Sequence, residues 1–429
     1  MSVILEIKGV LVYHIMCGRV LFNKTLLCIY HIDYSQKRGI FLERFVYADN
    51  AATTPVSESV RRAMLPFFED GWGNPSSLHR KGREAKAAID NARSRVAAAI
   101  GAEAREVYFT SCGSEADNWA IKGAAYAARR KNPEKNHIIT TVIEHPAVLE
   151  TCRALEKDGF TVTYLPVNSD GLVSVDDLKD AITPATVIAA IMFANNEIGT
   201  IQPIKALADT AHEKGILFFT DAVQAVGAID INVKDLGVDM LSMSGHKMHA
   251  PKGIGALYIR RGVVIDRLIN GGGQERGQRA GTENVAYAVA LAQAIEDAVA
   301  SLDDMKRVQA MRDRLIEGLS AIPRSYVNGS RESRLPGNVN IAFEFIEGES
   351  LLLLLDMAGI AASTGSACSS ASLEPSHVLL SIGLPVEKAH GSLRLTVSHD
   401  NTDEDIDYIL EQVPKAVARL REMSPLTEF

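Results

Sequence analysis

The chain is poor in the patterns that tie a protein to an oxidising compartment, a membrane or a nucleic acid. Its five cysteines (Cys17, Cys28, Cys112, Cys152, Cys368) are scattered over 429 residues with no CxxC pair among them. Neither a disulfide framework nor a structural zinc site is written there, no metal is expected, and a reducing, cytoplasmic compartment is the expectation. No uncharged apolar run reaches the roughly eighteen residues needed to cross a bilayer, so no membrane span is expected. Long runs of lysine and arginine are missing too, and the net charge is -8. That argues against direct nucleic-acid binding and makes Arg129, Arg130 and Lys131 a solvated helix end.

With 47% hydrophobic and 23% charged residues, the chain can bury one large core and a smaller one. Residues 1–44 stand apart. Their apolar patches, 10–17 and 26–32, are broken by Arg19, Lys24, Asp33 and Lys37, with no basic start and no Ala-x-Ala cleavage site. A secretory signal fits this poorly. A membrane-surface or partner-binding segment is an alternative; the reading favoured over it is an atypical extension from a mis-assigned start, with translation beginning near Glu43.

The stretch that organises the rest is 216–255. Two apolar runs, 216–219 and 240–243, read as buried strands, and polar residues follow each: Asp221 after the first, Lys247 after the second. In an open parallel α/β sheet the carboxyl ends of the strands form the ligand crevice. A lysine and an aspartate there suit the two ends of pyridoxal phosphate, which needs an amine for its aldehyde and a carboxylate for its pyridinium nitrogen. Taken singly, Lys247 is a loop lysine and Asp221 a helix cap.

Other strand ends repeat the pattern. A strand over 106–109 feeds a small-residue turn with Cys112, Gly113 and Ser114, then an Ala-rich helix over 116–130. Such a turn is a phosphate cup or an N-cap by Ser114, equally on local grounds, and Cys112 reads as a small filler. A strand over 137–143 closes on Glu144 and His145, whose imidazole titrates near neutrality and suits acid–base work. The run 187–193 is followed by the turn-forming pair Asn195 and Asn196. Five strands thus deliver polar candidates to one edge, which points to one active site. Downstream lie a Gly/Arg loop over 269–282, a small-residue stretch over 361–372 with Cys368 in its middle, and a strand over 391–398 holding Arg394. A cysteine in a stretch that cannot build core is expected to be exposed and reactive.

The block Asp221 to Gln224, Ser244-Gly-His246-Lys247, the opening around Asp49-Asn50-Ala51-Ala52-Thr53-Thr54-Pro55, and Gly-Ser-Ala-Cys368-Ser-Ser together resemble the NifS/IscS type of cysteine desulfurase, a class V aminotransferase-like, fold-type I pyridoxal-phosphate enzyme. The resemblance spans about 45–426. It implies an α/β fold: a large cofactor-binding domain (57–302) with a mostly parallel seven-stranded sheet covered by helices, and a smaller α+β domain (45–56 with 303–429) bearing the cysteine loop. It implies pyridoxal phosphate held by Lys247, Asp221, Gln224, Asn196, His145, Gly113, Ser114, Ser244 and His246, with Thr282 reaching the partner's cofactor across a homodimer. L-cysteine would be held by Arg394 and Asn196. Lys247, His145 and Cys368 would be catalytic, giving alanine and a persulfide on Cys368. The implied acceptors are an iron–sulfur scaffold protein or a tRNA-thiolation protein. A selenocysteine lyase or another class V enzyme shares most of these residues, and a sulfur-carrying or scaffold-docking subunit with little turnover is a reading of a different class.

Overall fold

The computed structural model describes residues 5–7, 10–12, 44–365 and 375–424, and the chain divides into two compact units, Met1–Glu43 and Arg44–Phe429. In the first, Leu5–Ile7 and Val10–Val12 form an antiparallel hairpin.

In the second, a seven-stranded sheet runs in the spatial order Val107–Thr110, Gly255–Ile259, Met240–Ser244, Leu217–Asp221, Thr186–Ala190, His137–Thr141, Thr161–Leu165. Only Gly255–Ile259 opposes its neighbours; the other pairings are parallel. The sheet is mostly parallel because helices connect most successive strands and cover both faces, so its strands are continuous apolar runs. Adjacent residues divide between the faces: Phe218 and Leu241 pack with the helices Arg80–Ala99 and Val285–Ala300, while Phe219 and Met240 pack with Gly113–Lys131 and Pro146–Lys157.

A separate core surrounds the antiparallel three-stranded sheet Ser325–Val327, Asn338–Phe343, Ser392–Thr396, covered by Met305–Ser320 and Asp403–Met423. The short strand Val46–Tyr47, paired in parallel with Ile360–Ala361, joins this core. Among the described residues no single helix is long and apolar enough to cross a membrane.

The structure shortens or extends several expected elements. The helical stretch after Ser57 is divided, Glu58–Met64 then Pro66–Glu69, since Pro66 has no N–H to continue the first ladder. Ser57 caps the first piece, as its position suggests, by accepting from Val60 N. The strand expected to reach Phe193 ends at Ala190, but the extended chain beyond still donates from Ile191 N to Phe219 O (3.0 Å) and from Phe193 N to Asp221 O (2.8 Å).

Candidate active site

The carboxyl ends of the parallel strands open onto a cavity of about 200 Å³. Lys247 enters from a single 3-10 turn, Gly245–Lys247, that directly follows Met240–Ser244. Its Nζ donates to the carbonyls of Ala51 and Ala52, the latter at 2.8 Å, so the opening motif around Asp49 holds the amine in place. Asp221 ends the neighbouring strand, 6% exposed, and accepts from Val223 N at 2.9 Å. Burial raises its carboxyl above the ordinary range, while His145 and Lys247 draw it back down.

Behind Asp221 lies a second buried acid that local sequence did not signal. Asp117, on the first turns of Gly113–Lys131, is 1% exposed and accepts from Ser242 Oγ at 2.5 Å. Ser242 pairs with Asp221 across the strands. Burial, then the charge of Asp221, holds Asp117 well above the ordinary carboxylate range. A carboxyl so raised keeps its proton more readily, which spares Asp221 a second negative charge at its back and leaves Asp221 as the carboxylate placed to meet a protonated ring nitrogen.

At the opposite side the helix Gly113–Lys131 points its N-terminus at the cavity. Its cap is Cys112 rather than Ser114: the helix starts three residues earlier than expected, and Cys112 Sγ accepts from Glu115 N at 3.4 Å. Gly113 and Ser114 occupy the first turn and line the cavity, where unpaired N–H groups suit an anion. A Cβ on Gly113 would come within 2.7 Å of Val223 Cγ2, and one on Gly255 within 2.8 Å of the Cys112 carbonyl carbon, so both glycines are needed for this close approach. Ser244 Oγ is buried beside the turn with no hydrogen-bond partner among the described residues. His246, held by Thr53 Oγ1 at 3.2 Å, is pushed down to about 4 by burial and by Lys247, which keeps it neutral.

His145 is the N-cap of Pro146–Lys157; its Nδ1 accepts from Ala147 N at 3.1 Å, which assigns the ring proton of the neutral form to Nε2. The two asparagines divide their work. Asn195, fully buried, builds the turn by bonding Ile143 O, Glu197 N and Ile198 N, whereas Asn196 lines the cavity. Gln224 lines it as well and donates to Ala51 O at 3.0 Å. Arg394 arrives from the three-stranded sheet, 1% exposed, with Nη2 on Asp49 (2.8 Å), Nη1 on the Asn196 carbonyl (3.0 Å), and Nε buried without a partner.

Of the residues singled out in the sequence, the structure gathers Lys247, Asp221, Gln224, Asn196, His145, Gly113, Ser114, Ser244, His246 and Arg394 around this one cavity. Thr282 is exposed and outside it. Cys368 lies outside the described residues. The Gly/Arg loop is tied down: Glu275 is buried in a bidentate pair with Arg93 (2.6 and 2.8 Å) and accepts from Phe109 N, and Arg279 pairs with Glu115. The donor set fits pyridoxal phosphate, with the unpartnered Ser244 hydroxyl and helix N–H groups at one side and an amine and a buried carboxylate at the other.

The Aminotransferase class-V family model matches residues 46–409. The chain belongs to the class-V aminotransferase family, and within it to the cysteine desulfurases of the NifS/IscS type. It is 57% identical over 391 residues to the cysteine desulfurase IscS of Clostridium botulinum, covering 90% of this chain and 98% of that one. The IscS of Methanosarcina thermophila is also 57% identical, over 383 residues, covering 89% and 94%. Among solved structures, a NifS-like protein superposes with a TM-score of 0.82 at 39% identity, covering 88% of this chain and all of that one. A protein named SspA, solved in complex with cysteine, gives 0.72 at 39% identity, covering 82% and 98%.

Proposed function

We propose that this site removes the sulfur of L-cysteine, leaving L-alanine and a persulfide on Cys368. The observation that carries the reading is the meeting of Lys247, Asp221, His145 and Arg394 in one cavity, delivered by separate elements. Lys247 would hold the aldehyde carbon of pyridoxal phosphate, Asp221 its ring nitrogen, His145 one ring face, Asn196 and Gln224 its phenolic side, and Gly113, Ser114, Ser244 and His246 its phosphate. Bound there, the cofactor supplies an electron sink for the substrate's α-carbon.

The chain's own groups do the remainder. Arg394, buried and with its Nε still unpaired among the described residues, binds the substrate carboxylate and fixes the α-carbon near Lys247. The Lys247 amine takes the α-proton, and His145, with its proton on Nε2, serves the sulfur. The Cys368 thiolate attacks the substrate Sγ: an S–S bond forms, the C–S bond breaks, and its electron pair returns to the former Cβ, which takes a proton as alanine forms. Cys368–S–SH is then handed to an acceptor, an iron–sulfur scaffold protein or a tRNA-thiolation protein. We place the reaction in a homodimer, with Thr282 of each copy at the partner's phosphate side. The exposure of the large apolar side chains of Phe68 (58%), Trp72 (68%) and Leu78 (91%) is what a partner copy would cover. A cytoplasmic setting goes with this reading, supported by the free thiols of Cys112 and Cys152.

The test is a paired assay of wild type and Cys368→Ala with L-cysteine and a reductant, following sulfide, alanine and cofactor absorbance together. Equal sulfide and alanine from wild type, with the variant keeping the cofactor but losing sulfide, is the expected outcome. An oxo acid without sulfide, or an undiminished variant, would refute it.

A further inference from the structure

A second cavity, of about 340 Å³, adjoins the first and shares Ala51, Gln224 and Lys247 with it. Two histidines line it, His249 and His399, with Asp400 beside them; one ligand-capable atom from each of the three lies within 4.8 Å of the others. No other such group of three occurs among the described residues.

The cluster is held by its surroundings. His249 has φ +67°, a left-handed conformation unusual for a residue with a Cβ. Three bonds to one turn keep it there: His249 N donates to Thr54 Oγ1 (2.7 Å), Ser57 N donates to His249 O (3.1 Å), and His249 Nδ1–H donates to Pro55 O (3.0 Å). The His249 nitrogen that faces the carboxylate is Nδ1 itself, 4.0 Å from Asp400 Oδ2, so an ion bound there takes over that nitrogen in exchange for its bond to Pro55 O. On the other side, Ser398 N donates to Asn401 Oδ1 (2.9 Å) and Arg307 Nη2 to His399 O (2.7 Å), which fixes the turn carrying His399 and Asp400. The two imidazole rings stand 5.0 Å apart, and His399 Nε2 is 3.5 Å from Asp400 Oδ1. Ligands around a tetrahedral ion with bonds near 2.0–2.1 Å sit roughly 3.3 Å from each other, so small side-chain rotations close the set.

We infer that His249, His399 and Asp400 form a binding site for a borderline divalent cation of the zinc class, with water as the remaining ligand. Two imidazoles and one carboxylate select such an ion over magnesium or calcium, which take oxygen ligands. The ion ties the segment just after Lys247 to the turn just after the Arg394 strand, and the cavity gives it an entry path.

The experiment uses the cofactor-loaded, chelator-treated protein, titrated with Zn²⁺ by calorimetry and with Co²⁺ by visible absorption. His399→Ala is the principal variant, since that side chain is 38% exposed on a surface turn and its loss leaves the core intact; Asp400→Asn is the second. Wild type is expected to bind one equivalent that both variants weaken, His399→Ala by at least about 10- to 100-fold, with a Co²⁺ spectrum of nitrogen and oxygen ligands. Zn²⁺ should also raise the melting temperature of wild type and not of His399→Ala. Unchanged affinity in His399→Ala, a thiolate-to-cobalt band showing cysteine ligands, or no binding at roughly 1 mM Zn²⁺ would each overturn the inference.

Discussion

Lys247 and Asp221 reach the cavity from beyond or at the ends of strands in the seven-stranded sheet, whereas Arg394 reaches it from the middle of a strand in the three-stranded one. A strand end can present a polar side chain while the strand behind it stays apolar, so the large sheet supplies chemistry at little cost to its core. A mid-strand arginine has no such freedom. It is buried among its neighbours, Asp49 balances its charge, and Asn340, its partner in register, is itself fully buried. The lysine side is built by topology and the arginine side by pairing.

The sharpest way to break this comparison is Lys247→Ala. Lys247 donates to the carbonyls of Ala51 and Ala52 from a turn beyond the strand, so its loss leaves the strand ladder intact while removing the residue proposed to take the α-proton. Activity should fall by about 10²- to 10⁴-fold, and the absorbance of the bound cofactor should change with it; sulfide production within tenfold of wild type would remove Lys247 from the mechanism.

The next effect concerns an acid on the same edge. Glu144 is 1% exposed, accepts from Met192 N and Thr141 Oγ1, and leaves Oε2 without a partner; burial pushes its carboxyl up to about 8 from an ordinary 4.5. Between those values the unfolded chain has released the proton while the folded one keeps it, so stability falls as pH rises through that window. Glu144→Gln removes the titration. Its advantage over wild type in urea unfolding should grow from pH 5 to pH 8, by at most about 5 kcal/mol, and a gap independent of pH would contradict the burial argument.

Most of the edge was legible in the sequence because it repeats one local signal, an apolar run with polar residues just beyond, at Asp221, His145, Asn196 and Lys247. What stayed hidden depended on partners far away in the chain. Asp117 carries no signal of its own within the Ala-rich helix; its burial follows only once Ser242 and Asp221 come to meet it. Glu275 reads only as part of a Gly/Arg loop until Arg93 clamps it. Cys112 reads as filler until Glu115 N, three residues on, is seen to donate to its sulfur and make it the helix cap. Whether a polar residue is buried is decided by tertiary contacts, which spacing along the chain does not encode.

On the arginine side, Arg394→Lys keeps the charge and loses the planar pair of donors. Losing one charge-assisted hydrogen bond of about 1.5–3 kcal/mol predicts a KM for L-cysteine raised roughly 10- to 150-fold, with a smaller change in kcat. A change in kcat alone would mean that Arg394 does not bind the substrate carboxylate.

The smallest effect tests pairing itself. Asp49 holds one guanidinium nitrogen of Arg394, with 17% of its own side chain exposed, and it competes for the same group that the substrate carboxylate would use. Asp49→Asn leaves a buried arginine without its counter-ion, which destabilises the protein before substrate binds and favours any carboxylate that enters. The expected outcome is a lower melting temperature in the absence of substrate, partly restored by saturating L-cysteine, together with a KM that falls by less than about tenfold. A KM that rises instead would show that Asp49 serves to aim Arg394 at the substrate, and the pairing would then be part of the binding site rather than a placeholder for it.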